Sequence, residues 1–357
     1  MKKWMIDSMI EAPETCRYLF HNKETYVHKL VDIFLQKNHK EIVLVASGSS
    51  HNISQCARYA IENYLGVRVS CITPVTFSKY AYRFYEDALI LCLSQSGKST
   101  NTIEAVKKAK ELSYDVAAIS MRPESPITNY CENVLEYGTY APGDDVFVCR
   151  GVPSSTLYFI LFALEAGRRK GFYPEEKYHM RMAEIEALIE AMPEIREKSA
   201  EFYNLNKEEF YSMKRVMTIG TGPGLGVAME GALKIEETIG IASNAYETEE
   251  FLHGPAYEVK KDHALFIADL DDTMHLRHMQ IFEAAKELTD RVYLITKSKE
   301  LKGKNIMNIP EEICPYLLPI LFVIPFQFIA SSVCDDLRIT AITIYNHRFS
   351  EMIKTKA

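Results

Sequence analysis

The sequence lacks several patterns that would assign a chain of this length to a familiar class. Its eight cysteines include no C-x-x-C pair and no histidine at zinc-finger spacing, which argues against a metal knuckle and a disulfide framework. The formal net charge is -7 and no run of Lys and Arg resembles a nucleic-acid-binding patch, so nucleic acid is not an expected partner. The N-terminal "MKKWMIDSMIEAPETC" turns acidic where a signal peptide needs an apolar core. We therefore expect a cytoplasmic protein.

The longest apolar stretch, "YLLPILFVIPFQFIASSV" at 316–333, only reaches the lower edge of the length needed to span a membrane. It contains Pro319, Pro325 and Gln327 as well as hydroxyl side chains. These residues favour a buried helix over a membrane span, so no membrane association is expected.

With 357 residues, the chain is about twice the usual domain length, which predicts two domains. In the first half, short runs rich in Val, Ile and Leu alternate with amphipathic segments, a pattern typical of a parallel sheet covered on both faces. The predicted strands are 41–50, 67–72, 87–94, 115–120 and 133–138, and the predicted helices are 51–66 and 100–113.

A helical connector is predicted at about 153–212, and the alternation then begins again. The second set comprises strands at 214–222, 263–270 and 291–296 and helices at 225–240 and 279–289. Because "VLVASGSS" and "VMTIGTGP" stand at the same place in each set, the repeat indicates a duplication. The predicted fold class is α/β, with two tandem doubly wound, flavodoxin-like parallel-sheet domains joined by a helical connector.

Hydroxyl side chains are concentrated where two predicted strands end. The stretch "SQSGKST" follows the strand "LILCL", and "ASGSS" ends the first strand. In open parallel sheets, ligands bind beyond the carboxyl ends of the strands, where helix N-termini and flanking hydroxyls hold anions. The hydroxyls are Ser49, Ser50, Ser94, Ser96, Ser99 and Thr100. Any one of them could be an ordinary helix N-cap. For six hydroxyls together, phosphate binding and helix capping are equally good explanations.

Nucleotide-binding motifs are not matched. Neither loop has the G-x-x-x-x-G-K-[ST] pattern, which argues against a nucleoside triphosphatase. The segment "GTGPGLG" has Leu225 where the third glycine of a dinucleotide-binding motif should stand.

A second cluster lies on the predicted helix 225–240. Glu230, Lys234 and Glu237 are spaced to share one face, and His253 follows in "EEFLHGP". From spacing alone, the helix face could be a solvated ion pair and the histidine a turn residue. A carboxylate and an imidazole are also the groups used in general acid–base catalysis, so a catalytic role is the alternative interpretation.

Several of these segments together resemble a known family. They are "ASGSSHN", "LSQSGKSTNTIEAVKKAKELSY", "EGALKIEETIGIASNAYETEEFLHGP" and "ILFVIPFQFIA". In order and spacing they resemble the tandem sugar isomerase (SIS) domains that form the isomerase half of glucosamine-6-phosphate synthase. They also resemble free-standing deglycases of fructosamine 6-phosphates, such as fructoselysine- or glucoselysine-6-phosphate deglycase. The synthase's glutaminase domain, with its cysteine at position two, is missing, because residue 2 is Lys2. The resemblance thus implies an isomerase half without its own ammonia source.

The resemblance also implies roles for individual residues. The phosphate is expected on Ser94, Gln95, Ser96 and Ser99, with Ser49 and Ser50 from the first loop. The implied catalytic residues are Glu237, His253 and a lysine of the C-terminal tail, with Lys354 a better match than Lys356. Supporting positions are Glu230, Lys234 and Glu250. One departure concerns the loop "VCRGVPSST" at 148–156, where Arg150 or Ser154 could contact the sugar differently.

The implied function is a deglycase or isomerase that releases an amine and glucose 6-phosphate from a fructosamine 6-phosphate by proton transfer between C1 and C2. Two alternatives stay open: a glucosamine-6-phosphate isomerase or deaminase, and a non-catalytic phosphosugar sensor. No metal or organic cofactor is expected. A homodimer with shared active sites is also implied. The predicted division of the chain is an N-terminal segment (1–30), a first domain with the connector (31–195), a second domain (196–340) and a tail that closes the sugar site (341–357).

Overall fold

A computed structural model of the chain describes residues 4–37, 39–138, 147–270, 273–309, 312–339 and 347–357. The chain divides into two compact units. The first unit comprises the described residues within Glu14–Gly143, Arg150–Glu186 and Asn346–Ala357. The second unit comprises those within Met1–Pro13, Asp144–Cys149 and Ala187–Tyr345. The predicted domain boundaries remain predictions.

The first unit contains a five-stranded parallel sheet in the order β2-β1-β3-β4-β5. Its strands are β1 (Glu41–Ala46), β2 (Arg68–Ile72), β3 (Leu89–Leu93), β4 (Val116–Ser120) and β5 (Val134–Glu136). Every residue of β3 and β4 is buried, as expected for strands covered on both faces.

Helices surround this sheet. Those within the first unit are α2 (Lys23–Tyr26), α3 (His28–Leu35), α4 (Ser49–Leu65), α5 (Pro74–Thr76), α6 (Thr100–Glu111), α7 (Gly151–Arg169) and, near the C-terminus, α13 (His347–Ile353). Helices α1 (Met5–His21) and α8 (Glu175–Ser212) each contribute residues to both units. Helix α4 packs mainly on α7 within the first unit.

The second unit repeats this topology. Its parallel sheet has the order β10-β9-β8-β6-β7, which, read from β7, is the order of the first sheet. The strands are β6 (Arg215–Gly220), β7 (Ala242–Glu247), β8 (His263–Asp269), β9 (Val292–Thr296) and β10 (Ile306–Asn308). The helices are α9 (Pro223–Ile239), α10 (Thr248–Leu252), α11 (His275–Ala285) and α12 (Pro319–Asp336).

The two units also share the turn that leads from the first strand into the next helix. Gly48 precedes α4 with φ 58°, and Gly222 precedes α9 with φ 57°. Both helices have 17 residues and end at a left-handed glycine, Gly66 or Gly240. Because glycine is the residue that readily adopts positive φ, the first glycine of each pair fixes where the helix begins and the second fixes where it ends.

The predicted fold class, two tandem doubly wound α/β domains, is confirmed. The sequence did not reveal β7 or β10. β7 ("ASNAYE") is polar and half-exposed, and β10 has only three residues. Both strands lie at an edge of the sheet, where burial on two faces is not required and the apolar run that identifies a central strand is absent.

Among the described residues, α12 is the one helix long and apolar enough to cross a membrane, and 78% of it is buried inside the protein. It packs along α9, where Phe326 lies so close to Gly231 that a Cβ atom there would be 2.5 Å from the ring. A glycine is therefore required at this crossing. Burial of α12 agrees with the predicted core helix and fixes the back of α9, the helix with the charged cluster.

Candidate functional site

The two hydroxyl-rich loops of the first unit are neighbours. β1 and β3 are hydrogen-bonded partners whose last residues, Ala46 and Leu93, lie side by side, so both loops leave the same edge of the sheet. Asn101 Nδ2, at the start of α6, donates a hydrogen bond of 2.8 Å to Ser47 Oγ in the first loop. The sequence did not single out either residue, although their contact joins the two predicted loops.

Ser49 and Ser50 open α4 and are buried. The first amides of a helix have no partner within that helix and carry the positive end of its dipole. Gly48, the N-cap, contributes no side chain, so nothing covers these amides from its position. The first turn of α4 thus has the features expected of an anion site.

The segment Ser94–Ser99 forms a tight loop after β3. Ser94 Oγ donates to Ser99 Oγ at 3.3 Å, and Ser96 Oγ accepts from the backbone amide of Lys98 at 3.3 Å. Gly97 has φ +64°, and a Cβ atom there would lie 1.9 Å from Ser125 Oγ. Both the backbone conformation and the contact therefore require glycine at position 97.

Two further serines support this loop from β4. Ser120 Oγ donates to the carbonyl of Gln95 at 3.2 Å, and Ser125 Oγ donates to Ser120 Oγ at 3.3 Å. Both serines are buried. They were not predicted, and the available signal was their position, Ser120 at the end of the strand "DVAAIS" and Ser125 in the loop that follows it.

The side chain of Gln95 lies against the start of α7. Its carboxamide is so near Gly151 that a Cβ atom there would be 2.7 Å from Oε1, and this buried oxygen has no hydrogen-bond partner within the described part of the chain. Arg150, the N-cap of α7, is buried, and Ser154 Oγ donates to its carbonyl at 3.0 Å. The Ser154 hydroxyl is thus engaged within the helix, and whether Arg150 or Ser154 contacts a sugar stays a prediction.

The C-terminal tail pairs with the serine loop. The amide of Thr100 donates to the carbonyl of Thr355 at 3.2 Å, and the amide of Ala357 donates to the carbonyl of Lys98 at 2.8 Å. Lys356 forms an antiparallel bridge with Ser99, whereas Lys354 has φ 48° and accepts at its carbonyl from Thr100 Oγ1 at 3.1 Å. The tail is thereby placed against the candidate phosphate loop, and both lysine side chains are exposed.

The second unit contains the charged cluster on α9. Lys234 Nζ lies 3.1 Å from Glu230 Oε1 and 2.5 Å from Glu237 Oε1. Burial by itself would lower the pKa of Lys234, but the two carboxylates outweigh burial and raise the pKa above its usual value. The lysine is therefore a permanent cation, and the solvated ion pair considered above is not what the structure contains.

Exposure distinguishes the two carboxylates. The side chains of Lys234 and Glu230 are 0% and 1% exposed, whereas that of Glu237 is 30% exposed. Lys234 holds one oxygen of Glu237, and the other accepts no hydrogen bond among the described residues. Glu237 is thus a partly exposed carboxylate that a buried lysine holds in one orientation.

His253 caps the C-terminal end of the short helix α10 and is exposed. Gly254, which follows it, has φ +149°, a conformation that other residues rarely adopt. At the other end of α10, Glu247 Oε2 accepts from the amides of Glu249 and Glu250 at 2.8 and 3.2 Å. Glu247 was not predicted, because glutamate is not among the residues preferred at an N-cap and its capping role is visible only in the structure. Glu250 points an exposed side chain to the surface.

Neither a cavity at the other edge of the first sheet nor a cluster of metal ligands provides an alternative site among the described residues. A cavity of about 690 Å³ opens at the amino ends of the first sheet, lined by charged groups such as Lys37, Asp115 and Arg68. Lys37 and Asp115 pair with each other at 2.6 Å, and parallel sheets bind ligands at their carboxyl ends, so we do not place the site there. Within the described residues, no three His, Cys, Asp or Glu side chains are grouped to hold a metal ion.

Comparison with known families identifies the repeated unit. The SIS domain family model matches residues 35–147 and 209–333, which is more than half of the chain. Among curated proteins, the glutamine–fructose-6-phosphate aminotransferase (isomerizing) of Caldanaerobacter subterraneus subsp. tengcongensis is 26% identical over 298 residues, covering 82% of this chain and 48% of the relative. The chain thus spans about half the length of the curated relatives it matches.

Solved structures share the fold. A Clostridium difficile 630 protein with the provisional name phosphosugar isomerase aligns with a TM-score of 0.89 at 24% identity, covering 99% of both chains. The glucosamine-6-phosphate deaminase of Thermotoga maritima aligns with a TM-score of 0.72 at 18% identity, covering 94% of this chain and 96% of that one. At these identities the alignments establish the fold of the chain and not its reaction or substrate.

Proposed function

The chain belongs to the SIS domain family, and from that premise we propose that it is an enzyme acting on a fructosamine 6-phosphate, a 1-amino-1-deoxyketose phosphate. The serine loop binds the phosphate, and Glu237 transfers a proton between C1 and C2. The observation that carries the proposal is the Glu237 carboxylate, which Lys234 holds by one oxygen and whose side chain is 30% exposed.

The phosphate supplies binding energy away from the reacting atoms. Ser94, Ser96 and Ser99 supply hydroxyls from the serine loop, and Ser49 and Ser50 supply them at the N-terminus of α4. A phosphate held by several such donors orients the sugar, and orientation lowers the barrier by reducing the entropy that the reaction must lose. Gln95 adds a carboxamide whose oxygen has no protein partner among the described residues.

The proton transfer can be written with every atom in place. Glu237 takes the proton from C1 while a general acid, assigned to His253, protonates the C2 carbonyl oxygen, which gives an eneaminol. Return of a proton to C2 and loss of the N–H proton give the imine of glucose 6-phosphate. Water adds to the carbon–nitrogen double bond, and the amine leaves. General acid–base assistance of this kind is worth roughly 10²- to 10⁴-fold in rate.

A substrate panel tests the proposed function. Fructoselysine 6-phosphate, a fructosamine 6-phosphate with another amine, glucosamine 6-phosphate and fructose 6-phosphate are incubated separately with the protein, and glucose 6-phosphate, free amine and ammonia are measured. We expect glucose 6-phosphate and free amine from a fructosamine 6-phosphate, and no product with the Glu237→Gln chain. Ammonia from glucosamine 6-phosphate alone would establish the deaminase alternative instead, and binding without any product would establish a sensor.

We further propose a homodimer in which His253 serves the site of the partner copy, because its imidazole is exposed at the end of α10. If Glu237 acts within its own chain and His253 acts across the dimer, unfolding and refolding Glu237→Gln and His253→Gln chains together makes mixed dimers with one intact site. Equal mixing then restores about one quarter of the wild-type activity, since about half of the dimers are mixed and half of their sites are intact. No restoration would show that both groups act within one chain.

Localisation in the cytoplasm is part of the same proposal. All eight cysteines are free thiols, and six of them are buried. This is the usual state of cysteine in a reducing compartment, where it packs as a small apolar residue.

A further inference from the structure

A buried carboxylate that the proposed chemistry does not use lies at the carboxyl end of β8. Asp269 is fully buried and accepts three hydrogen bonds: from His278 Nδ1 at 3.0 Å, from His275 Nδ1 at 2.7 Å and from Thr296 Oγ1 at 2.7 Å. Burial alone would raise the pKa of Asp269, but these three hydrogen bonds outweigh it and hold the pKa below the usual value. Asp269 is therefore an anion at neutral pH, and the two imidazoles that face it donate through Nδ1.

The network continues from His278 to the helix that precedes His253. Nδ1 of His278 faces the carboxylate, and Nε2 of the same ring lies at hydrogen-bond distance, 3.0 Å, from Thr248 Oγ1. His278 is 1% exposed and Thr248 is 0% exposed, so water does not compete for this contact. The chain of contacts Asp269–His278–Thr248 thus joins β8 through α11 to the first residue of α10.

A second contact between α11 and α10 lies beside the first. Arg277 donates from Nε and Nη2 to the two oxygens of Glu249 at 2.7 and 3.2 Å. Glu249 also interacts electrostatically with His253, four residues further along α10. A helix of five residues has little stability of its own, so side-chain contacts decide where it lies. A third contact fixes the start of α10, because Thr221 Oγ1 donates a hydrogen bond of 3.0 Å to Glu247, the N-cap of this helix.

We propose that Asp269, His278 and Thr248 are positioning residues, which fix α10 and thereby the imidazole of His253. The inference rests on the proposed role of His253 in turnover. Asp269 sets the tautomer and the ring orientation of His278, His278 anchors the Thr248 hydroxyl, and α10 carries that constraint to His253 over one helical turn. None of the three contacts the substrate in this account. A polar chain of this kind, fully satisfied within a buried region, specifies one local arrangement where apolar packing would permit several.

The test compares two substitutions at Thr248 that differ in one feature. Thr248→Val keeps the shape and removes the hydroxyl, whereas Thr248→Ser keeps the hydroxyl. We expect Thr248→Val to lower kcat on the fructosamine 6-phosphate by about tenfold or more, up to the roughly 10²-fold that a displacement of about 1 Å can cost. KM and the inhibition constant of inorganic phosphate should change by no more than about twofold, because the serine loop is untouched. Thr248→Ser should keep kcat within about threefold of wild type.

Two further measurements separate this inference from the proposed function. Thr248→Val in the His253→Gln background should have no additional effect on the residual rate, since a positioning residue acts only through the group it positions. The ¹³Cε1 resonance of the His253 ring, assigned by its loss in His253→Gln, should shift in Thr248→Val and stay in place in Thr248→Ser. This resonance is read in the absence of any substrate.

The outcomes are distinguishable. If the wild-type chain releases no amine from any fructosamine 6-phosphate, the proposed function is wrong. If His253→Gln turns over normally, His253 has no role in turnover. In either case the resonance alone decides whether the network orients the ring. An equal loss of kcat in Thr248→Val and Thr248→Ser, or an unmoved His253 resonance in Thr248→Val, would overturn the inference. Should Thr248→Val fail to fold, Thr248→Ala removes the hydroxyl with less bulk and takes its place in each measurement.

Discussion

The two units of the chain share one frame and differ in the side chains that the loops and helices of that frame carry. In each unit a strand leads through a positive-φ glycine into a 17-residue helix that ends at a left-handed glycine. Beyond that frame, the first unit presents neutral hydroxyls, whereas the second presents the lysine and carboxylates of α9 and the imidazole at the end of α10. Under the proposed function, the duplicated fold separates anion binding from proton transfer.

This difference has a physical basis. Hydroxyls and backbone amides stabilise a phosphate without changing their own protonation, which suits a group that must only hold the substrate. A carboxylate held by a neighbouring buried cation keeps one orientation, which suits a group that must meet the reacting carbon in a fixed geometry. The predictions that follow probe this division of labour, from the largest effect to the smallest.

Replacing Glu237 should have the largest effect on activity. Glu237→Gln keeps the shape of the side chain but cannot accept the C1 proton, so kcat should fall by roughly 10²- to 10⁴-fold. Steady-state kinetics on the best substrate of the panel measures this loss. The control is Glu236→Gln, an exposed neighbour on the same helix, which should turn over at the wild-type rate. Equal activity in both variants would remove Glu237 from the proposed role.

Removing the buried cation should have the largest effect on stability. Lys234→Met withdraws the charge that neutralises Glu230 and Glu237, and breaking a buried ion pair costs about 3–5 kcal/mol. The matched control is Lys286→Met, which removes an exposed lysine paired with Glu283 at 2.8 Å and should cost about 0–1 kcal/mol. Urea unfolding of both variants provides the free energies of unfolding. A cost below about 1 kcal/mol for Lys234→Met would contradict the structure of the cluster.

In the first unit, the serine loop should be sensitive to one methyl group. Gly97→Ala forces a non-glycine residue to φ +64° and places its Cβ atom 1.9 Å from Ser125 Oγ. Gly171→Ala is the control, because Gly171 has φ +72° with no atom within 4 Å of its Cβ position. Both changes should cost about 1–2 kcal/mol of backbone strain.

Only Gly97→Ala should also weaken phosphate binding, by on the order of tenfold or about 1.4 kcal/mol. Titration calorimetry with inorganic phosphate measures the affinity, and thermal unfolding measures the strain. Equal phosphate affinity in the two alanine variants would show that the loop does not hold the anion.

The smallest expected effect is a pH dependence of stability in the second unit. Because the pKa of Asp269 is held below its ordinary value of 3.8, the ionised carboxylate stabilises the folded state above that pH. This contribution is lost as the pH falls through the folded-state pKa, below 3.8. The difference in unfolding free energy between wild type and Asp269→Asn should therefore be full at about pH 5 and shrink below that value. A difference that grows on acidification would contradict the assigned charge state.

The frame of both units was predictable because it depends on patterns that the sequence displays directly. Continuous apolar runs such as β3, and glycines such as Gly66 at the end of α4, identify elements without any knowledge of their neighbours. The serine loop and the spacing of Glu230, Lys234 and Glu237 were equally visible.

What could not be predicted depends on contacts between distant segments. Asn101 meets Ser47 only because β1 and β3 pair, and His278 meets Thr248 only because α11 lies beside α10. Burial is also hidden in the sequence: Lys234 has the spacing of a surface lysine, yet the structure encloses it fully. Such contacts and burial follow from the tertiary structure, which spacing along the chain does not report.

The most direct test of the account is the binding of glucitol 6-phosphate, an unreactive analogue without the carbonyl, measured by titration calorimetry. The Ser94→Ala/Ser99→Ala chain should bind it at least about tenfold more weakly than wild type, since hydrogen bonds to a charged group contribute roughly 1.5–3 kcal/mol each. The Glu237→Gln chain should bind it within a few-fold of wild type. Wild-type affinity in the serine variant together with lost affinity in Glu237→Gln would contradict the separation of anion binding from proton transfer.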